Sequence, residues 1–165
     1  MAESTLTEIG RVAKKAVIGA LKGTGAKAES ITETSADLVK ATIEGVGDFT
    51  VAIEKRVGDI VTGAIEGANE MGEDVFVAIK STVSGIVKAG SDMGADVART
   101  AVAATEGAIQ VAGRAGADIG KATREAVTGA IEAGDQMGTQ TSKAVREALG
   151  TSIKGAEDVI KGPPK

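Results

Sequence analysis

The sequence has no cysteine and no histidine, and its only aromatic residues are two phenylalanines. The missing thiols and imidazoles exclude disulfides, the usual structural zinc sites, thiol nucleophiles and histidine bases. Carboxylate, lysine and hydroxyl chemistry stays open, but the Ser and Lys pairs of the chain have no convergent third group beside them. We therefore expect no enzymatic activity, no metal, no cofactor and no small-molecule substrate.

An excess of one charge is also missing, because 19 basic residues stand against 23 acidic ones and the net charge is −4. A nucleic-acid partner is not expected, since it would need a concentrated basic face. No stretch without a charged residue is longer than seven residues, whereas a membrane-spanning helix needs about 20 mostly apolar residues. The first residues show no signal-peptide pattern, so we expect a cytoplasmic protein, with membrane association as the alternative.

Small residues are abundant, since 23 Gly and 29 Ala make up nearly a third of the 165 residues. The larger apolar residues are mostly Ile and Val. Because large side chains supply most of the free energy gained on burial, this composition does not favour a thick globular core. It favours thin packing in which backbones approach each other closely.

A repeat of 22 residues runs through the chain without gaps, and such self-similarity is typical of repeat architectures. The copies start at Val17, Val39, Val61, Val83, Thr105, Val127 and Leu149. We accordingly divide the chain into an N-terminal capping segment (1–16), seven repeats of which the last is truncated (17–160), and a Pro-terminated tail (161–165).

Apolar or small residues occupy positions 1, 5, 8, 12, 15 and 19 of the copies. This alternation of three and four predicts a helix with one apolar face. The aliphatic residues at positions 1, 5 and 15 are the predicted core of an oligomer. They are Val39, Ile43, Ile53, Val61, Ile65, Val75, Val83, Val87, Val97, Ile109, Ile119, Val127 and Ile131.

Six such positions in 22 residues correspond to a period of about 3.67 residues, the eleven-residue period that winds helices into a right-handed supercoil. No break in phase is visible between Val17 and about Ile160. The predicted fold class is therefore all-α, with a long, near-continuous amphipathic helix in a right-handed coiled coil or helical bundle. Residues 23–35 are the place where a break is most expected.

Glycine recurs in phase at positions 3 and 12. A Gly inside a helix costs about 1 kcal/mol relative to Ala, and close approach of helix backbones, as in small-xxx-small motifs, would offset that cost. The alternative is a poorly ordered helix that forms only on binding. The predicted close-packing glycines are Gly63, Gly72, Gly85, Gly94, Gly107, Gly116, Gly129 and Gly138.

Asp74, Asp96 and Asp118 form an acidic column with the same spacing. Residues 22 apart on one helix lie about 33 Å from each other and cannot share a cation, so we interpret the column as a solvated helix face. At the two ends of the chain, Thr5 fits the first position of a capping box, and the Gly-Pro-Pro at 162–164 is a helix stop signal.

The in-phase aliphatic and glycine columns of residues 17–160 resemble those of hendecad-repeat coiled-coil proteins. That resemblance implies rods, stalks or fibrous homo-oligomers, without shared catalytic residues. Segments such as VTGAIEG (61–67) and AVAATEGAIQVAG (101–113) also resemble eleven-residue-repeat lipid binders, namely apolipoproteins, synucleins, late-embryogenesis-abundant proteins and phasins. This second resemblance implies an apolar helix face that lies on lipid.

Two functions follow as hypotheses. The first is a non-enzymatic structural protein that self-assembles into a homo-oligomeric right-handed coiled coil through its Val/Ile and Gly/Ala columns. The alternative is an amphipathic helix protein that coats or inserts into membranes or lipid granules. The expected partner is a further copy of the chain, or in the second case a lipid surface.

Overall fold

The computed structural model describes residues 7–23, 27–43 and 49–161, with the side chains of all of them except residues 27, 43, 49 and 50. These residues form helices and turns, and no strand occurs among them. The helices are α1 (Glu8–Lys22), α2 (Lys27–Ile43), α3 (Phe49–Glu70), α4 (Val75–Asp92), α5 (Val97–Arg114), α6 (Ile119–Asp135), α7 (Thr139–Ser152) and α8 (Ala156–Ile160). The predicted all-α class is confirmed.

The near-continuous helix predicted for 17–160 is wrong, because the chain turns at the glycine of position 12 in four successive copies. These glycines have a positive φ: Gly72 (82°), Gly94 (80°), Gly116 (75°) and Gly138 (108°). A residue with a Cβ rarely adopts that conformation. Backbone hydrogen bonds then close the helix end: Ala95 N–H donates to the Gly90 carbonyl at 2.9 Å, and Gly94 N–H donates to the Ser91 carbonyl at 3.1 Å. This is the glycine-terminated end known as the Schellman motif.

The acidic column begins the helices that follow these turns. Asp74, Asp96 and Asp118 are the N-caps of α4, α5 and α6. Their carboxylates accept hydrogen bonds from the backbone N–H groups of Phe76 (2.7 Å), Arg99 (3.1 Å) and Lys121 (3.0 Å). The interpretation as a solvated helix face is therefore wrong, since these side chains precede the helices and satisfy N–H groups that have no partner within the helix.

The turns preserve the 22-residue phase, and for that reason the sequence pattern concealed them. α4 and α5 have 18 residues each, and the four residues that follow each of them complete one repeat. Because each of these copies contains a turn of the same length, the apolar stripe resumes in phase after it. Unbroken phase is thus evidence of equal repeats and gives no evidence of one helix.

The helices pack in two layers. α1, α3, α5 and α7 follow one another in one layer, and α2, α4, α6 and α8 in the other, with each helix also contacting the next one along the chain. Helices of one layer run parallel, since Gly10 and Lys14 of α1 lie alongside Gly63 and Gly67 of α3 in the same order. Each helix therefore presents one side to the helix before it in its layer and another to the helix after it, as in repeat proteins.

Most of the predicted core residues are enclosed within the single chain. Eight of them are buried: Val39, Ile53, Val61, Ile65, Val83, Val87, Val127 and Ile131. Val75, Val97 and Ile109 are half-buried against this core, and the side chain of Ile43 lies outside the described residues. Ile119 is 45% exposed, because it is the first residue of α6 and stands at the edge of the bundle. That these residues form the core of an oligomer stays a prediction.

The helix ends do not coincide with the predicted divisions of the chain. α1 begins at Glu8, so the division between residues 16 and 17 falls inside a helix, and the division into segments stays a prediction. The N-cap is Thr7, whose hydroxyl accepts from Gly10 N–H at 3.0 Å, whereas Thr5 lies outside the described residues. Residues 162–164 also lie outside them. At the start of the segment 23–35, where a break was expected, α1 has ended at Lys22 and Gly23 is its C-cap.

Gly94→Ala is expected to lower the free energy of unfolding by about 1–2 kcal/mol, because the new Cβ would stand in a left-handed backbone. The measurement is urea denaturation followed by circular dichroism. The matched control is Gly58→Ala in the interior of α3, where a Cβ would meet no described atom within 4 Å. That variant should gain up to about 1 kcal/mol from helix propensity. Equal stabilisation by both substitutions would contradict the turn at Gly94.

Candidate interaction surfaces

Glycines of position 3 lie where helices of one layer cross. A Cβ built on Gly63, Gly85 or Gly129 would overlap the backbone carbonyl oxygen of Gly10, Thr32 or Lys80, respectively, on the preceding helix of the layer. At Gly107 the facing residue is another glycine, and a Cβ would lie 3.6 Å from the Cα of Gly58. These four glycines therefore permit backbone contact between parallel helices, here within one chain.

The other four predicted close-packing glycines do not lie at such contacts. A Cβ on Gly72, Gly94, Gly116 or Gly138 would meet no described atom within 4 Å. Within the folded chain each of them supplies a positive φ at a helix end, and close packing against a further copy stays a prediction. The sequence put both glycine columns in phase with the apolar stripe, and phase does not distinguish a packed glycine from a turn glycine.

Ion pairs mark three of these contacts with one register. Lys14 and Glu66 lie 4.0 Å apart, Lys40 and Asp92 2.8 Å, and Lys80 and Glu132 3.3 Å. The members of each pair are 52 residues apart in the sequence, with the lysine on the earlier helix. The hydrogen bond to Asp92 raises the pKa of Lys40. Pairs this exposed add little stability. The register is not universal, because α3 and α5 are joined by Glu54 and Arg99, which are 45 residues apart with the basic residue on the later helix.

The outer side of α1, away from α3, has an unfilled version of this contact. Gly19 occupies position 3 of the first copy, and a Cβ there would meet no described atom within 4 Å. Val12, which is 53% exposed, lies on the same side, two turns away. Around them stand the exposed side chains of Glu8, Arg11, Lys15 and Lys22, so this side of α1 carries three basic residues and one acidic residue around a small, partly apolar centre.

One side of α2 is mostly acidic. Glu29, Glu33 and Asp37 are exposed and follow one another at intervals of four residues, which places them on one side of the helix. Lys40 stands three residues after Asp37 on that side and pairs with Asp92 of α4. The described ion pairs include none of the three acidic residues, nor Arg11, Lys15 and Lys22 of α1.

The opposite end of the bundle carries an open groove of about 1020 Å³ between α6, α7 and α8. Ile119, Ile131 and Val159 give it a largely apolar lining, and Arg124 and Lys154 stand in it without an ion-pair partner among the described residues. The groove also holds the acidic side chains of Glu132 and Asp158. It therefore offers an apolar surface bordered by charges of both signs.

One ion pair borders this groove. Arg146 Nη2 lies 3.0 Å from both carboxylate oxygens of Asp135, and the Ser142 hydroxyl donates to Asp135 Oδ1 at 2.5 Å. The Ser142 hydrogen bond, followed by that of Arg146, holds the pKa of Asp135 below its ordinary value. These contacts tie the start of α7 to the end of α6, and so fix one wall of the groove.

The core contains polar groups that no contact compensates. The hydroxyls of Ser35, Thr82 and Thr105 are buried and have no hydrogen-bond partner. They stand on α2, α4 and α5, respectively. Each lowers the stability of the closed bundle by about 1–3 kcal/mol relative to a satisfied group.

Neither a metal-ligand cluster nor a membrane-spanning helix occurs among the described residues. No group of three or more acidic residues within 7–23, 27–43 and 49–161 is arranged to hold a metal ion. None of the helices described is both long enough and apolar enough to cross a bilayer. The chain matches no protein-family model, and no curated protein matches it either.

The charged sides of α1 and α2 were not predicted, although their signal stands in the sequence. Arg11 and Lys15 are four residues apart, and Glu29, Glu33 and Asp37 continue the same spacing with the opposite sign. In a single long helix these charges would lie along one rod. In the folded chain the basic residues stand on α1 and the acidic ones on α2.

Gly85→Ala should lower the free energy of unfolding by about 1–3 kcal/mol, because the Cβ would overlap a backbone oxygen that cannot move alone. Gly107→Ala is the matched control from the same column, since its Cβ would find an ordinary contact distance. Thermal and urea denaturation of both variants measure the difference. Equal effects of the two substitutions would contradict backbone contact at Gly85.

Asp135→Asn should remove a pH-dependent part of the stability. The pKa of Asp135 is lowered in the folded state, so its contribution is complete above the unfolded pKa of about 3.9 and is lost as the pH falls through the folded pKa. Asp135 is exposed and Arg146 is half-buried, and solvent screening of such a pair limits the effect to about 1 kcal/mol. Denaturation of both proteins at pH 7 and at pH 2 to 3 should show a gap that closes in acid. A gap independent of pH would contradict the assignment.

Proposed function

We propose that the chain is a non-enzymatic structural protein that assembles with further copies of itself. The observation that carries the proposal is the docking of the layers, in which glycine contacts recur from helix to helix and three of the helix pairs also share an ion pair of 52-residue spacing. Such docking is directional, because each helix uses one side for its predecessor and the other for its successor. On the described helices, α1 has its predecessor side open, with Gly19 at its centre.

The form of assembly differs from the predicted coiled coil. In the folded chain most of the Val/Ile core residues are covered, so copies can meet through them only if the turns straighten. Each turn between α3 and α6 carries a glycine with positive φ and an aspartate cap, and straightening would forfeit both. Association of closed bundles through their outer sides is therefore the favoured form.

A second candidate function, binding to a lipid surface, is favoured by the uncompensated hydroxyls in the core. Ser35, Thr82 and Thr105 reduce the free energy needed to open the bundle. Opened helices would present their apolar sides to lipid, as interfacial amphipathic helices do. The two functions make different demands, since the first needs the closed bundle and the second needs it to open.

Sedimentation equilibrium and circular dichroism, with and without vesicles, test the two functions together. Self-assembly predicts a mass that rises with concentration to a multiple of 16.4 kDa, with helicity unchanged by phosphatidylcholine or phosphatidylglycerol vesicles. A mass of one chain at every concentration would contradict it. Co-sedimentation with vesicles, together with loss of the tertiary contacts seen by hydrogen exchange, would favour the lipid function instead.

A further inference from the structure

We propose that the groove between α6, α7 and α8 is a docking site for a helix of another protein, one that carries a carboxylate three residues after a small residue. This inference goes beyond self-assembly and does not depend on it. It rests on the equivalence of α6 to α1 and α4, because the next helix of the layer covers one side of those two helices. On α6 the equivalent side lines the groove.

The groove follows the side of α6 to which a further helix of the layer would dock. Within the bundle the glycines of position 3, here called docking glycines, meet two repeat positions of the preceding helix. These are position 16, as at Thr32 of α2, and position 20, as at Lys80 of α4. On α6 the same positions are Gly120 and Arg124, and both line the groove. The docking side of α6 is therefore open where that of α4 is covered.

α8 lies beside α6 without reproducing the docking of the other helices. It has five residues, and a Cβ on Gly155, which precedes it, would lie 4.0 Å from the side chain of Thr123, 32 residues earlier. The docking glycines of the other helices meet residues 49 earlier, as Gly129 meets Lys80, or 53 earlier. About 1020 Å³ beside α8 consequently stays open.

Arg124 specifies the charge of the expected helix. At the same position of α4, Lys80 pairs with Glu132 of α6 at 3.3 Å. On α1, Lys14 lies 4.0 Å from Glu66 of α3. Both carboxylates stand three residues after a docking glycine. Arg124 takes part in none of the ion pairs among the described residues, so the carboxylate of a docked helix would find its partner there.

The remaining lining fits the apolar side of an amphipathic helix. Ile119 is 45% exposed, and Val159 is half-buried at the other wall of the groove. Lys154 and Asp158 of the lining also belong to none of the described ion pairs. Together with Arg124, two cations without a described ion pair thus stand against one carboxylate. Charge complementarity accordingly favours a helix that is apolar on one side and acidic at its border.

A second copy of the chain matches this groove less well. Gly19 of α1 holds the docking position and meets no described atom within 4 Å, but the residue three positions on is Lys22. Docked on α6, Lys22 would face Arg124, and like charges in apposition oppose that contact. On α2 the docking position is held by Ala41, and a Cβ there overlaps the facing backbone in three of the four described contacts. A helix of another protein is therefore the occupant that we assign.

The probe is a fluorescein-labelled peptide of residues 54–70, in which Gly63 and Glu66 of α3 have the required spacing. Fluorescence anisotropy should show that it binds the full chain. Addition of the unlabelled peptide should shift the amide resonances of Thr123 and Val159, which line the groove. Gly63→Leu in the peptide should abolish binding, because the contact of a docking glycine leaves no room for a side chain.

Charge reversal identifies the contact. Arg124→Glu in the full chain should weaken binding at least about tenfold, because a carboxylate of the peptide would then face a carboxylate. Glu66→Lys in the peptide should restore binding to that variant and weaken binding to the unchanged chain. Lys143→Glu, on the exposed side of α7, is the matched control and should leave the affinity unchanged. Circular dichroism checks that each variant of the chain keeps its helicity.

Several outcomes would overturn the inference. They are an affinity that Arg124→Glu leaves unchanged, a loss that the reversed peptide does not restore, and resonance shifts centred on α1, where the peptide would have replaced α3. Shifts at the groove caused by dodecanoate and not by the peptide would assign it to an anionic amphiphile instead. A dimer of the chain alone that Arg124→Glu dissociates would assign it to a second copy. Self-assembly itself is decided separately, by the mass of the unchanged protein at rising concentration.

Discussion

Backbone geometry at four equivalent glycines sets the length of the helices on which the fold depends. With φ near 80° at Gly72, Gly94 and Gly116, the chain leaves the right-handed helix and reverses within a four-residue turn. The aspartate two residues later starts the next helix by accepting its N-terminal N–H groups. Helices of about 18 residues result, too short to act as rods, and they bury their apolar sides against one another within the chain.

The unusual composition has its explanation in how these helices pack. Parallel helices of one layer approach until a glycine faces a backbone carbonyl, as Gly85 faces Thr32. Helices at that separation leave room for Ala, Val and Ile and little room for aromatic rings. Many fully buried core residues are accordingly alanines. The deficit of large side chains that argued against a thick core is thus a consequence of close backbones, and the core is thin and continuous through both layers.

Periodicity predicted the helical class and most of the buried positions, because burial depends on which side of a helix a residue occupies. It could not predict the turns. A helix of 18 residues and a turn of four preserve the 22-residue phase, so Gly72 and Gly63 looked alike although one ends a helix and the other packs inside one. For the same reason Asp74 looked like a residue on the face of a helix, although it is the N-cap that precedes α4. The local sequence Gly-x-Asp held the distinguishing signal, since a left-handed glycine and an N-cap belong together only where one helix ends and another begins.

Which surfaces of the bundle stay exposed was beyond prediction for a different reason, and that reason also bears on association. Folding covers most of the large aliphatic side chains, including Val61, Val83 and Val127, and so withdraws the surfaces that would drive strong, unspecific association. What remains outside is mostly charge and glycine. Exposed charges contribute little affinity each. The residues that could bind a partner most strongly are thus already used in the core of the bundle itself.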